Sequence, residues 1–316
     1  MARLLVTGAT GVVGQLLIPD LMRHYTVIAA VRREQSNLPC EQIVVGDIHD
    51  QTDWSKALEN VDIVVHLAAR VHVMKEASVN PLAAFARTNV DGTRHLAEQA
   101  AAHHVRRFVF LSSIKVNGEE TPAGQHFSEA SVPHPSDPYA LSKWQAELAL
   151  QAVSRETDLE IVILRPPLIY GPGVRANFYR LMQLANRKMP LPFGAVSNQR
   201  SFIYIENLVS AIMAVLYDPR AKNRTFLVAD DEAWSLTELF QELRGALNRP
   251  RLLFPIPGNW MKGFCEMIGL SSFAQRLFSS LKVSNASIKQ TLEWQPPVTA
   301  EQGLKQTINW YQNADA

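Results

Sequence analysis

Three residues have the types and spacing to do proton chemistry. Tyr139 and Lys143 stand four apart in Pro138-Tyr139-Ala140-Leu141-Ser142-Lys143, and Ser113 closes the apolar run Arg107–Leu111 as the second of two serines. On a helix, positions four apart share one face. A phenol with its ordinary pKa of about 10 is a poor base at neutral pH. An ammonium one turn away favours the phenolate and lowers that pKa. A serine hydroxyl at the end of the neighbouring strand could hydrogen-bond the same substrate oxygen. Such a set suits moving a proton on or off an alcohol oxygen while a hydride carrier serves the carbon. The spacing also recurs by chance in many helices, so a second feature has to support it.

That feature is at the start of the chain. Leu4-Leu5-Val6 reads as a short buried strand, followed by glycines at 8, 11 and 14 and then the apolar face of a helix. Glycines there let a backbone approach a pyrophosphate, and the helix N-terminus offers N–H groups and a favourable dipole. An ordinary tight turn is the alternative, but the position between strand and helix favours the anion site.

The elements between these two features alternate. After a helix over 12–24, interrupted by Pro19, strands are expected at 26–31, 42–45, 63–67, 107–111 and 160–164, with helices around 52–58, 81–103 and 138–154. Pro19 should remove one helical bond. The strands are continuously apolar, which marks a parallel sheet covered on both faces. Arg32-Arg33 end the second strand, where NAD sites usually hold an acidic residue. They could clamp a 2′-phosphate and so favour NADP(H), with NAD(H) still open, or form a solvated basic loop. Asp47-Ile48 end the third strand and could meet an adenine edge. Leu67-Ala68-Ala69 end the fourth and leave room for a ligand. The Gly/Pro/Ser/Glu-rich stretch 118–137 reads as a loop over the site.

Composition narrows the class. The 316 residues are 47% hydrophobic and 19% charged, with a net charge of +1, ordinary for a globular chain and no argument for nucleic acid or an anionic membrane. Cys40 and Cys265 suggest no disulfide framework or metal site and fit reduced thiols in the cytoplasm. No apolar run approaches the ~18–20 residues that span a bilayer, and nothing reads as a signal peptide.

Taken together, Thr7-Gly8-Ala9-Thr10-Gly11-Val12-Val13-Gly14, Asp47, Asn89, Ser112-Ser113 and Tyr139/Lys143 resemble the extended short-chain dehydrogenase/reductases over essentially the whole chain. The stretches Ser112-Ser113-Ile114-Lys115-Val116-Asn117-Gly118-Glu119 and Arg165-Pro166-Pro167-Leu168-Ile169-Tyr170-Gly171-Pro172-Gly173 are similar to the branch of epimerases and dehydratases acting on nucleotide sugars, most like bacterial enzymes of surface-polysaccharide (O-antigen) synthesis. The resemblance implies a Rossmann-type, doubly wound α/β domain over 1–170. A smaller substrate lobe completes the chain over 171–316, with a return to the main domain at about 200–225. It implies a cofactor site of Gly8, Thr10, Gly11, Val12 and Val13, with Arg32, Arg33, Asp47, Ile48, Leu67, Ala68, Ala69, Asn89, Tyr139, Lys143 and Pro166.

For a UDP-sugar it implies Ser112 and Ser113 at the sugar, Asn177 and Arg200 at the diphosphate, Arg175 as a further phosphate ligand, and Leu191-Pro192-Phe193 along the uracil. Asn177 as a helix cap and Arg200 as a surface charge are the plain alternatives. Ile114 and Lys115 stand where related 4,6-dehydratases carry an acid pair, so dehydration is not expected. Asn117 stands where the family often has tyrosine. The first expectation is therefore a 4-keto-reductase of a UDP-2-acetamido-2,6-dideoxy-hexos-4-ulose. A UDP-glucose or UDP-N-acetylglucosamine 4-epimerase with tightly bound NAD is the alternative; non-sugar carbonyl reductases and a non-catalytic dinucleotide sensor are weaker readings. Small residues (Ala97, Ala100 to Ala102, Ala146, Ala149, Ala152) on two helices that usually form the family's dimer face point to a homodimer.

Overall fold

The computed structural model describes residues 1–71, 81–174, 177–267, 275 and 277–314. Its strands run β1 (Arg3–Thr7), β2 (Thr26–Val31), β3 (Glu41–Val44), β4 (Ile63–His66), β5 (Arg107–Leu111), β6 (Glu160–Arg165), β7 (Leu168–Tyr170), β8 (Arg200–Tyr204), β9 (Arg224–Leu227) and β10 (Ala233–Trp234). Among the described residues they form two sheets. The larger is parallel throughout, in the order β3-β2-β1-β4-β5-β6-β9. The smaller joins β8 to β7 in parallel and to β10 antiparallel.

The unbroken apolar runs have a direct cause. Side chains alternate faces along a strand, and both faces of this sheet are covered. Leu4 and Val6 enter one core while Leu5 enters the other; Val27 and Ala29 oppose Ile28; Val109 opposes Phe108 and Phe110. A polar residue on either face would be buried, so neither register is free to be hydrophilic.

Helix α1 (Val12–Met22) buries Leu17, Ile18 and Leu21 and holds Pro19 within it. The chain returns to the main sheet at α6 (Ile205–Val215), whose Leu208, Val209 and Ile212 share the core beneath α1, and continues into β9 beside β6. The returning segment is therefore 205–227, whereas Arg200–Tyr204, expected to start it, pairs in the smaller sheet.

Two helices differ from expectation. The segment around Thr52–Leu58 forms consecutive turns rather than a helix. Thr52 Oγ1 accepts from the His49 N–H at 2.9 Å and donates to the Asp47 carbonyl at 3.0 Å, closing a loop, while Trp54, Ala57 and Leu58 fill the core. The long helix over 81–103 is α2 (Pro81–Phe85), a π-helical turn (Ala86–Asp91) and α3 (Gly92–Ala102). The extra residue of a π turn rotates the helix beyond it, and here Asn89 points inward, 2% exposed. Ala97, Ala100 and Ala146 are buried in the core that α3 shares with α4 (Pro138–Glu156), so these three small residues serve close packing within the subunit.

Candidate active site

Two glycines of the turn have no room for a side chain. Gly8 adopts φ +72°, and a Cβ there would lie 2.7 Å from the Ala68 nitrogen; a Cβ on Gly14 would lie 2.5 Å from the Gly8 carbonyl oxygen. Gly11 opens α1 in extended conformation, and its N–H donates to the Gly8 carbonyl at 3.0 Å. Thr10, Gly11 and Val12 lie exposed at the helix start, with Val13 half-buried behind them. The first-turn N–H groups of α1 thus face an open surface, the arrangement that binds a pyrophosphate. These residues fit a dinucleotide on the backbone alone. Gly173, at φ +82°, brings the later glycine-proline turn against this one: a Cβ there would lie 3.2 Å from Val12 Cγ1.

At the far end of the turn, Arg32 and Asp47 are both largely exposed and face each other, Nη1 to Oδ1 at 3.9 Å, with Arg33 exposed beside them. Ile48 packs against the helix that follows Asn89, so close to Gly92 that a Cβ on that glycine would fall 2.6 Å from Ile48 Cγ2.

The end of β4 is fastened twice. Thr7 Oγ1 bonds His66 Nδ1 at 2.7 Å and also accepts from the Ala68 N–H at 3.2 Å, while His66 Nε2 bonds Thr93 Oγ1 at 3.0 Å. Burial, helped by the Lys143 charge, pushes the His66 pKa down to about 3, so this imidazole is neutral at physiological pH. Asn89 accepts from the Arg70 N–H at 2.7 Å and donates to the Arg70 carbonyl at 3.0 Å and to Ser142 Oγ at 2.9 Å. It therefore shapes the Leu67-Ala68-Ala69 exit and ties it to α4.

Cross-links on either side of Ser113 tie the end of β5 to the helix that carries Tyr139 and Lys143. Two residues before it, the Leu111 carbonyl accepts from Lys143 Nζ at 2.9 Å; two residues after it, Lys115 Nζ pairs with Asp137. Asp137 also caps α4, accepting from the Ala140 N–H at 2.7 Å. Tyr139 and Lys143 lie in the first two turns of that helix, with the Phe85 ring edge-on to Tyr139 at 6.3 Å. Pro166 closes the same corner, its carbonyl accepting from the Ile114 N–H at 2.9 Å.

The electrostatics differ from the simple Tyr/Lys picture. Burial pushes the Lys143 pKa down to about 7, partly offset by the Glu147 carboxylate, and its ammonium lies 4.4 Å above the Phe110 ring. Burial and the Asp137 charge raise the Tyr139 pKa above that of an ordinary phenol. Where the sequence led to a depressed phenol, burial and the neighbouring Asp137 carboxylate act in the opposite direction.

Beneath these groups lies a network that the sequence did not flag. Glu147, fully buried, is one turn beyond Lys143. It accepts from Arg165 Nε at 2.9 Å and from Arg165 Nη2, and the Ser112 hydroxyl donates to it. Arg165 Nη1 donates to Asn117 Oδ1 at 3.0 Å. Ser112, expected at the sugar, instead directs its hydroxyl to Glu147. The only signal available was the i, i+4, i+8 spacing of Tyr139, Lys143 and Glu147.

The expected substrate residues divide. Arg200 Nη1 donates to the Ser279 carbonyl at 2.8 Å, and its pKa falls to about 10 through burial, with the Glu119 charge opposing. Since Glu119 also binds Lys115 Nζ at 2.9 Å, Arg200 is on the Ser113 side of the lobe. Asn177 is exposed at the start of α5 (Asn177–Ala185). Leu191 and Phe193 are buried in the lobe core, Phe193 against Phe240 with ring centroids 4.8 Å apart, so of the expected uracil-lining trio Pro192 alone is half-exposed. Arg175 falls outside the described residues.

A glycine turn at the first β-α junction, Ser113 at the end of β5 beside the helix that carries Tyr139 and Lys143, and a half-buried Arg200 at the start of β8 make the architecture of a dinucleotide-dependent oxidoreductase. The model of the NAD dependent epimerase/dehydratase family matches residues 4–229, and the chain belongs to that family. It is 41% identical over 315 residues to the UDP-glucose 4-epimerase of Vibrio cholerae, covering 99% of this chain and 96% of that one. It is 28% identical over 97% of its length to the N-acetyl-α-D-glucosaminyl-diphospho-ditrans,octacis-undecaprenol 4-epimerase of Escherichia coli O157:H7, covering 94% of that chain. Among solved structures, the UDP-N-acetylglucosamine 4-epimerase of Bacillus cereus superposes with a TM-score of 0.80 at 21% identity, covering 99% of this chain and 100% of that one, which shows the shared fold.

Proposed function

We propose that the chain is a nucleotide-sugar 4-epimerase, inverting the C4 hydroxyl of a UDP-hexose or UDP-N-acetylhexosamine with a nicotinamide dinucleotide held on the glycine turn. What favours this over the 4-keto-reductase is the 41% identity, across nearly the whole chain, to a UDP-glucose 4-epimerase. Bound on the turn, the dinucleotide supplies hydride acceptance and return at the sugar carbon. Tyr139 Oη takes the proton from the C4 hydroxyl and gives it back, and Ser113 Oγ hydrogen-bonds the same oxygen. Lys143, with its pKa near neutrality, carries the charge that favours the phenolate once it is protonated. Arg200 and Asn177 meet the diphosphate, in a stretch of chain where no Asp or Glu occurs from Ile161 to Ile205.

The reductase reading keeps one supporting observation, the exposed Arg32 and Arg33 at the end of β2, suited to the 2′-phosphate of an NADP(H) that exchanges each turnover. Asp47, 3.9 Å from Arg32, weighs the other way, because its carboxylate repels that phosphate. Purified protein given UDP-glucose or UDP-N-acetylglucosamine without added cofactor should form the galacto epimer. Oxidation of NADPH with the 4-keto-6-deoxy sugar, and no epimerisation, would establish the reductase instead.

A further inference from the structure

The substrate lobe carries an apolar band on its outer surface with no role in the site described. Residues 252–256 run extended beside residues 191–194, held by the Leu191 N–H to the Leu252 carbonyl (3.2 Å), the Phe254 N–H to the Leu191 carbonyl (2.8 Å) and the Gly194 N–H to the Phe254 carbonyl (2.7 Å). This geometry turns Leu253 into the lobe core and leaves Leu252, Phe254 and Ile256 exposed. Buried Arg244, near the end of α7 (Leu236–Ala246), binds the carbonyls of both Pro250 and Met189, which pins exposed Met189 alongside the band. Trp260, in the first turn of α8 (Gly258–Met267), extends the band at 76% exposed.

The same pinning gathers charge. Arg187, Lys188 and Arg251 are exposed beside these side chains, and no Asp or Glu occurs from Leu243 to Cys265 or from Ile161 to Ile205. A net charge of +1 for the whole chain conceals this local excess. Contiguous exposed apolar side chains mark an interaction surface. Aromatic and aliphatic residues interleaved with lysine and arginine match the boundary between acyl chains and anionic headgroups.

We propose that this face, formed by residues 187–189 and 251–260, docks the enzyme peripherally onto an anionic lipid bilayer. Docking is at the surface only, since no helix among the described residues is long and apolar enough to cross a membrane. A second copy of the chain suits the face poorly. A two-fold contact through this face would bring two copies of the Arg187, Lys188 and Arg251 cluster into one interface with no carboxylate from either stretch to offset them, a like-charge juxtaposition. An anionic bilayer neutralises all three at once.

The test is flotation of the full-length protein with phosphatidylcholine vesicles, with and without phosphatidylglycerol, at low and high salt. The expected result is binding to the anionic vesicles that weakens with salt, about fivefold weaker for each basic residue removed in Lys188→Gln and Arg251→Gln. A Phe254→Ser/Trp260→Ser variant should lose at least about tenfold in partition. Because these side chains are exposed and outside the catalytic and binding machinery, sugar-nucleotide turnover by the variants should be unchanged, which verifies their folding. Absence of vesicle binding, or equal binding by the variants, overturns the proposal. Concentration-dependent self-association that the Phe254→Ser/Trp260→Ser variant abolishes, with no vesicle binding, also overturns it and assigns the face to a second copy.

Discussion

Replacing Glu147 tests whether the buried network beneath the reactive residues holds the site together. Its side chain is fully buried and that of Arg165 is 5% exposed. Glu147→Met leaves the guanidinium its hydrogen bond to Asn117 but no carboxylate, and strands the Ser112 hydroxyl. The two Arg165 hydrogen bonds to the carboxylate, at about 1.5–3 kcal/mol each, give a cost of about 3–6 kcal/mol, and breaking one side of a buried pair costs about 3–5 kcal/mol. Arg165→Met should cost a similar amount, because it leaves a buried carboxylate. The double variant removes both charges and should cost only about 1–3 kcal/mol, mainly for the unpaired Ser112 and Asn117 groups. Urea unfolding of all four proteins closes the cycle. Single-variant costs under about 1 kcal/mol, or a double variant as costly as the two singles added, would refute the reasoning. Glu147→Gln adds a second readout. It removes the one charge that holds the Lys143 pKa up, so the Lys143 inflection in kcat/KM should move below about 7.

Tyr139→Phe should lower kcat by at least about a hundredfold while dinucleotide binding, measured by fluorescence titration, stays intact; near-normal turnover would exclude the phenol as the proton carrier. In Gly8→Ala, the new methyl meets the Ala68 backbone at 2.7 Å in a left-handed conformation, so dinucleotide affinity should be lost and Tm should fall; a variant binding as tightly as the parent would show that the turn is not the cradle. His66 carries an acid-stability signature. Its folded pKa of about 3 lies below the unfolded 6.5, so between those values the unfolded state holds more protons and stability falls as pH falls, by at most about 1.4 kcal/mol per pH unit. Unfolding free energies across that window should lose this slope in His66→Gln, and an unchanged slope would assign the acid sensitivity elsewhere.

Much of the protein was legible in the amino-acid sequence, because the cues were local. The continuous apolar strands announced a doubly covered parallel sheet, since the alternating faces of each strand are both buried. Gly8 and Gly14 marked positions in the turn that exclude a side chain, a constraint written within seven residues. The Tyr139/Lys143 spacing placed both side chains on one helix face whatever the tertiary fold. The sequence could not specify what happens between distant segments. The Thr52–Leu58 pattern looked helical, yet a hydroxyl capping a local turn and the burial of Trp54 decided otherwise. Ser112 and Ser113 are neighbours of the same type, and only the arrival of Glu147 beside β5 assigns one hydroxyl to the scaffold. Lys143 was expected to be a plain cation, but its charge is set by how much water the packed fold removes, and that is a property of the assembled structure alone.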